Sequence, residues 1–145
     1  MKNRIKHIFF DLDHTLWDFD KNSALAFENV FQKHKINLPL SSFHELYSEI
    51  NTAYWKLYRE EKVTQEQLRY GRLKDTFDQL YYTVSDALIH EISVDYITVL
   101  PHNNFLFDGA IAILDYLKPK YHLHIITNHF EEVQNHTLKT SEIQP

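Results

Sequence analysis

The stretch Ile8-Phe9-Phe10-Asp11-Leu12-Asp13-His14-Thr15-Leu16 constrains this chain more than any other. An apolar run stops at two carboxylates placed two residues apart, with a hydroxyl two further on. Ile5, Ile8, Phe9 and Phe10 read as a short strand buried on both faces, the pattern of a central strand in a parallel sheet. Ligands of such sheets bind beyond the carboxyl ends of the strands, so D-x-D-x-T here aims two acids at an active-site crevice. The plainer reading is a strand followed by an acidic turn, because aspartate commonly opens turns.

Composition narrows the classes. At 145 residues, with 43% hydrophobic and 24% charged residues, the chain is expected to be globular and soluble. A net charge of -5 without a basic tract gives nucleic-acid binding no support. With no cysteine there is no disulfide framework and no thiolate chemistry. Met1-Lys2-Asn3-Arg4 leads straight into the strand, so no secretory segment is expected, and no apolar run of the sequence approaches a membrane span. A cytoplasmic location is the expectation. Gly71 and Gly109 are the two glycines of the chain, too few for an all-β protein, and glycine-rich nucleotide loops are absent.

From about Lys21 to Leu100 the pattern is helical. Ala24, Phe27, Val30 and Phe31 share one stripe, ending near Lys35. Ser42-Phe43-His44-Glu45 reads as a capping box opening a second helix, and Thr64-Gln65-Glu66-Gln67 as one opening a third. A fourth helix runs from about Ser85 to Tyr96. Each stripe needs a partner, so these helices should form a small bundle. After Pro101, Phe107 to Leu117 reads as a helix with Ala110, Ile113, Leu114 and Leu117 facing a core. Tyr121 to Asn128 is a strand ending at a polar pair, and a last helix begins near Phe130. The expected division is residues 1–17 and 101–145 as a discontinuous core, with 18–100 inserted at the carboxyl end of its first strand, where a lid or substrate-selecting domain belongs.

The chemistry follows from placement. At the strand tip, Asp11 can attack an electrophile and form a covalent intermediate. Asp13 can protonate a leaving oxygen and then activate water. Two adjacent carboxylates repel and call for a cation, and Mg²⁺ is the natural one, taking one or two carboxylates plus water and phosphate oxygens. Thr127 and Asn128 end the second strand just before a helix start, which suits a bound phosphate. These are the parts of phosphoryl transfer.

Asp11-Leu12-Asp13-His14-Thr15-Leu16 resembles the first motif of the haloacid dehalogenase-like (HAD) hydrolase superfamily, and Ile125-Ile126-Thr127-Asn128 its second. The helical insert resembles that superfamily's type 1 cap. The resemblance extends to the house-cleaning nucleoside 5′-monophosphatase subgroup through Leu16-Trp17-Asp18-Phe19-Asp20, Gly71-Arg72 and Thr127-Asn128-His129-Phe130. It implies an α/β fold: an incomplete Rossmannoid core of about two parallel strands carrying a helical cap. It implies Asp11 as nucleophile and Asp13 as general acid/base. Mg²⁺ would lie on the Asp11 carboxylate and the Asp13 backbone carbonyl, with Thr127 holding the transferring phosphoryl group. Dehalogenases of the superfamily typically lack the second aspartate, so Asp13 favours phosphate chemistry. Two departures stand out. His129 replaces the glycine common after Thr-Asn, and the lysine and acidic pair of the third and fourth motifs are expected beyond Pro145, Lys139 not being a match. A 5′-nucleotidase is therefore expected. The alternatives are a non-catalytic fragment or interaction module, and a phosphomutase. The expected partners are a small phosphorylated metabolite and a second copy meeting the sheet edges, with neither nucleic acid nor membrane.

Other residues carry weaker signals. His122-x-His124 could present two imidazoles on one strand face, although a plain surface position accounts for them as well. His14 is expected to pack beside the motif. Tyr54, Trp55, Tyr58, Tyr70, Tyr81 and Tyr82 could stack on a base, but their helical spacing favours the core. Arg72 could meet substrate, with Tyr54 and Trp55 as further contacts, although a surface ion pair explains it more simply. Asp18 and Asp20 suit either a hinge or the start of a helix.

Overall fold

Branched and aromatic residues favour extended backbone, and Ile8, Phe9 and Phe10 lie in strand β1, His7–Asp11. The structure is a computed structural model and describes residues 5–127. β1 is followed by helices α1 (Phe19–His34), α2 (Leu40–Arg59), α3 (Gln65–Gln79) and α4 (Asp86–Val99). A short 3₁₀ turn at Leu100–His102 leads on to α5 (Ala110–Leu117) and strand β2 (His122–Ile126). The last helix expected from Phe130 lies outside the described residues. Two compact units divide the chain: Ala24–Val99, and the residues up to Ser23 together with those from Leu100 onward.

In the discontinuous unit β1 and β2 pair in parallel, with Asp11 opposite Ile126. Parallel strands require a long crossover, and the helices between them supply it. Burial on both faces of β1 is not observed: Ile8 and Phe10 are half-buried, whereas Phe9 is 60% exposed. The sheet has two strands among the described residues, and the Phe9 face is open. That face holds a histidine cluster. His7 Nδ1 lies 2.9 Å from His124 Nε2, His7 stacks on His122, and Phe9 stacks on His124. α5 begins three residues later than expected. The Phe107 N–H is already bonded to the Leu16 carbonyl, and Gly109 supplies the φ of +83° that opens the helix. Ala110 is buried, but Ile113 is 42% exposed, so the core-facing stripe is narrower than the pattern suggested.

The helical unit is built on aromatic packing. Phe27 stacks on Tyr96 at 4.2 Å between ring centres and meets Phe43 and Tyr47 edge-on. Phe43 in turn packs on Phe77, and Leu68, Leu73, Ile89 and Ile92 complete a fully buried interior. Of the six aromatics assigned to the core from spacing, none is buried. Tyr54, Trp55, Tyr58, Tyr70 and Tyr82 are intermediate and Tyr81 is 97% exposed. Tyr54, Trp55, Tyr58 and Tyr70 lie on the flanks of their stripes, where helical periodicity tolerates either fate, whereas Tyr81 and Tyr82 follow the end of α3.

Capping separates the two predicted boxes. Thr64 Oγ1 accepts from the Gln67 N–H while the Gln67 side chain accepts from the Thr64 N–H, a complete box. Ser42 is not a cap. Pro39 holds the N-cap position with φ −60°, its carbonyl already accepts from the Phe43 N–H, and Ser42 lies inside the first turn. At the other end of the unit, the Asp95 carboxylate accepts from Lys33 Nζ and lies 2.6 Å from His34 Nε2, tying α4 to the last turn of α1. The Lys33 ammonium, outweighing partial burial, holds the Asp95 carboxyl below the ordinary aspartate range.

Thr64→Ala should lower the unfolding free energy by about 1 kcal/mol, measured by urea denaturation followed by circular dichroism. Because the folded Asp95 pKa is depressed, its stabilisation is present above the ordinary aspartate pKa and disappears as pH falls through the lower folded value. Acid titration of the melting temperature should therefore show a loss in the wild type that is blunted in Asp95→Asn. The substitution itself should cost on the order of 1 kcal/mol or less at neutral pH.

Candidate active site

After Asp11 the chain folds back over one carbonyl. Leu12 O accepts from the N–H groups of Thr15, Leu16 and Trp17 at 3.4, 3.0 and 2.9 Å. Leu12, Leu16 and Trp17 are buried beneath this turn, which leaves the polar residues between them on the outside. His14 closes the turn at φ +60°, a left-handed conformation uncommon for a residue with a side chain. Its N–H donates to Trp17 O at 3.1 Å and its ring packs on Phe19, so the expected packing role is what the geometry provides.

Asp11 is exposed at the carboxyl end of β1, and Thr15 Oγ1 donates to Asp11 Oδ2 at a long 3.5 Å. Asp13 is half-buried, its Oδ1 lies out of solvent, and its backbone bridges to Trp17. Thr127 follows Ile126, the register partner of Asp11, and the Leu12 N–H donates to Ile126 O at 3.3 Å. The two strand ends thus bring Asp11 and Thr127 to one edge of the sheet. Asn128 and His129 lie outside the described residues. Asp18 Oδ1 accepts from the Lys21 N–H and Asp20 sits in the first turn of α1, which is the helix-start role.

No group of three or more His, Cys, Asp or Glu side chains is arranged to hold a metal among the described residues. What the loop offers is a pair of acids. That donor set fits Mg²⁺, which is commonly held by one or two carboxylates while water and substrate oxygens complete its shell.

In the helical unit the candidate contacts divide. The Tyr54 hydroxyl donates to Asp75 Oδ2 at 2.7 Å, and burial followed by this bond pushes the phenol up to about 12. Its ring lies across Gly71, where a Cβ would come within 2.4 Å of the Tyr54 oxygen. Trp55 is half-buried and packs edge-on against Tyr58. Arg72 is not in a surface ion pair. It is 4% exposed, donates to Asn51 Oδ1 at 3.0 Å and lies over the rings of Tyr47 and Tyr96. Those rings and the amide take the place of a carboxylate. Sequence reasoning missed Asn22, whose buried side chain bonds the backbone of Phe105, 83 residues away. No local spacing signals such a pair.

The family model described as haloacid dehalogenase-like hydrolase matches residues 5–144. The HAD-hydrolase YfnB of Bacillus subtilis is 28% identical over 143 residues, covering 98% of this chain and 59% of its own length. The pyrimidine 5′-nucleotidase YjjG of Escherichia coli is 26% identical, covering 94% and 57%. The pyrimidine 5′-nucleotidase PynA of Streptococcus pneumoniae is 28% identical, covering 97% and 58%. The chain therefore spans a little under three-fifths of these relatives' length. The magnesium-bound structure of YfnB, described as revealing interdomain movement, superposes with a TM-score of 0.83 at 27% identity over 97% of this chain and 60% of that one. L-2-haloacid dehalogenase from Xanthobacter autotrophicus superposes at 0.68 with 15% identity, over 97% of this chain and 53% of that one, a likeness of fold alone.

Gly71→Ala should force the Tyr54 ring away from Asp75. NMR titration of ring-labelled tyrosine should then show one phenol moving from about 12 toward the ordinary value of 10. The net stability change should be under about 1 kcal/mol, because removing glycine from a helix interior offsets the lost hydrogen bond.

Proposed function

Because the chain belongs to the haloacid dehalogenase-like hydrolases, whose family model spans residues 5–144, we propose that it carries the nucleophile loop of a Mg²⁺-dependent phosphomonoesterase. The substrate is a small phosphorylated metabolite, a pyrimidine nucleoside 5′-monophosphate foremost. The observation that carries the reading is the exposed Asp11 at the end of β1, with Asp13 on the same turn and Thr127 one residue past the strand partner of Asp11. Two relatives named as pyrimidine 5′-nucleotidases support the substrate class.

In this reading an Asp11 oxygen attacks phosphorus in line and the ester P–O bond breaks. Asp13 gives its proton to the departing oxygen. It then takes a proton from the water that attacks the aspartyl-phosphate, which releases inorganic phosphate and restores Asp11. The Thr15 hydroxyl orients the nucleophile, and Thr127 with Asn128 holds phosphoryl oxygens. Mg²⁺, when bound by Asp11 and Asp13, neutralises charge on the phosphoryl group. Within the helical unit, Tyr54 and Trp55 are the proposed substrate contacts. Arg72 is buried against Asn51, Tyr47 and Tyr96 and is not proposed as a substrate contact.

A second reading is a chain without turnover of its own. It takes the 145 residues by themselves, which span under three-fifths of the relatives' length. Assay of phosphate release from uridine 5′-monophosphate with Mg²⁺ separates the two. The phosphatase reading expects Asp11→Asn to lower kcat by at least about 10³-fold, and removal of Mg²⁺ by chelation to do the same. Wild-type release no faster than that of a folded Asp11→Asn protein would establish the second reading.

A further inference from the structure

We propose that Asn22 is a positioning residue for the acidic loop, holding Asp13 in place through the returning segment at Phe105–Phe107. Asn22 is 0% exposed in the first turn of α1. Its Nδ2 donates to Phe105 O at 2.8 Å and its Oδ1 accepts from the Phe105 N–H at 3.0 Å. One carboxamide thus satisfies both backbone groups of one residue, as a neighbouring strand would. The tie continues toward the acids without a gap. The Asp18 N–H donates to the same Phe105 carbonyl at 3.0 Å, Leu106 bridges to Trp17, and the Phe107 N–H donates to Leu16 O at 2.9 Å. Trp17 then pairs with Asp13 and accepts from the His14 N–H. Lys21 Nζ, 3.9 Å above the Phe105 ring, and Asn103, donating to Asn22 O, close the same patch from outside.

Every bond in this chain lies within the discontinuous unit, and the last of them reach Trp17 and His14, the bridge partner and the chain neighbour of Asp13. An alanine at position 22 leaves the Phe105 N–H in a part-buried place without an acceptor. An aspartate keeps the shape and the acceptor but turns a carboxylate oxygen toward the Phe105 carbonyl. Both changes should loosen the loop, and the second does so without opening a cavity. The catalytic consequence rests on the phosphatase reading; the structural one does not.

Amide hydrogen exchange on the full chain tests this in wild type, Asn22→Ala and Asn22→Asp. The expected result is exchange on the order of tenfold faster at Phe105, Asp18, Phe107 and His14, with Leu73 and Phe77 of α3 unchanged. Acceleration that stops at Phe105, or that reaches α3 equally in both variants, would overturn the proposal. Where the wild type turns over uridine 5′-monophosphate, the same variants should lower kcat about tenfold with KM within about twofold. If turnover is absent altogether, the exchange result still decides the role of Asn22, so the two readings fail separately.

Discussion

One carbonyl organises the acidic loop that follows β1. Leu12 O gathers three N–H donors from the residues that follow it, and this convergence bends the chain sharply off the end of β1. With Leu12, Leu16 and Trp17 pulled inward, Asp11 and Thr15 are left outside and Asp13 at the boundary. The apolar members of the motif are therefore what aim its polar members. An acid pair on a free loop would lose its orientation to chain entropy, whereas here the backbone hydrogen bonds meet that cost.

The helical unit solves a different problem. Half of its buried hydrophobic residues are aromatic, with Phe27 at the centre of contacts to Phe43, Tyr47 and Tyr96, and rings of this size bury much apolar area per residue. The same rings make room for a cation. Burying a guanidinium is costly without compensation, and Arg72 receives it from two ring faces and an amide oxygen. Burial pushes the Tyr47 phenol well up, against the opposing pull of the Arg72 charge. The Gly-Arg pair thus has two separate structural reasons: Gly71 clears a path for the Tyr54 ring and Arg72 enters the core.

Much of this was legible in the order of residues. The apolar run before Asp11, the Thr64 capping box and the return to a strand before Thr127 are local patterns, and each lies where reading placed it. Misreadings arose where distant partners decide. Ser42 had the composition of a cap, but Pro39 three residues earlier had already set a helix-compatible φ. Phe107 suited a helix start until its N–H was claimed by Leu16. Arg72 looked like a surface cation because nothing nearby in sequence announces Tyr47 or Tyr96 as its neighbours. The placement of Asp11 and Thr127 at strand ends, with Asp13 in the turn after β1, was legible from local pattern, whereas Asn22 acts on a backbone 83 residues away.

The left-handed backbone at His14 narrows what evolution can write into the motif. At φ +60° a valine, isoleucine or threonine would crowd its own carbonyl, while glycine, asparagine or aspartate would sit there with less strain. Glycine would relax the turn but forfeit the ring that leans on Phe19. Codon drift at this one position is thereby funnelled into a handful of residue types, even though its side chain is largely open to solvent.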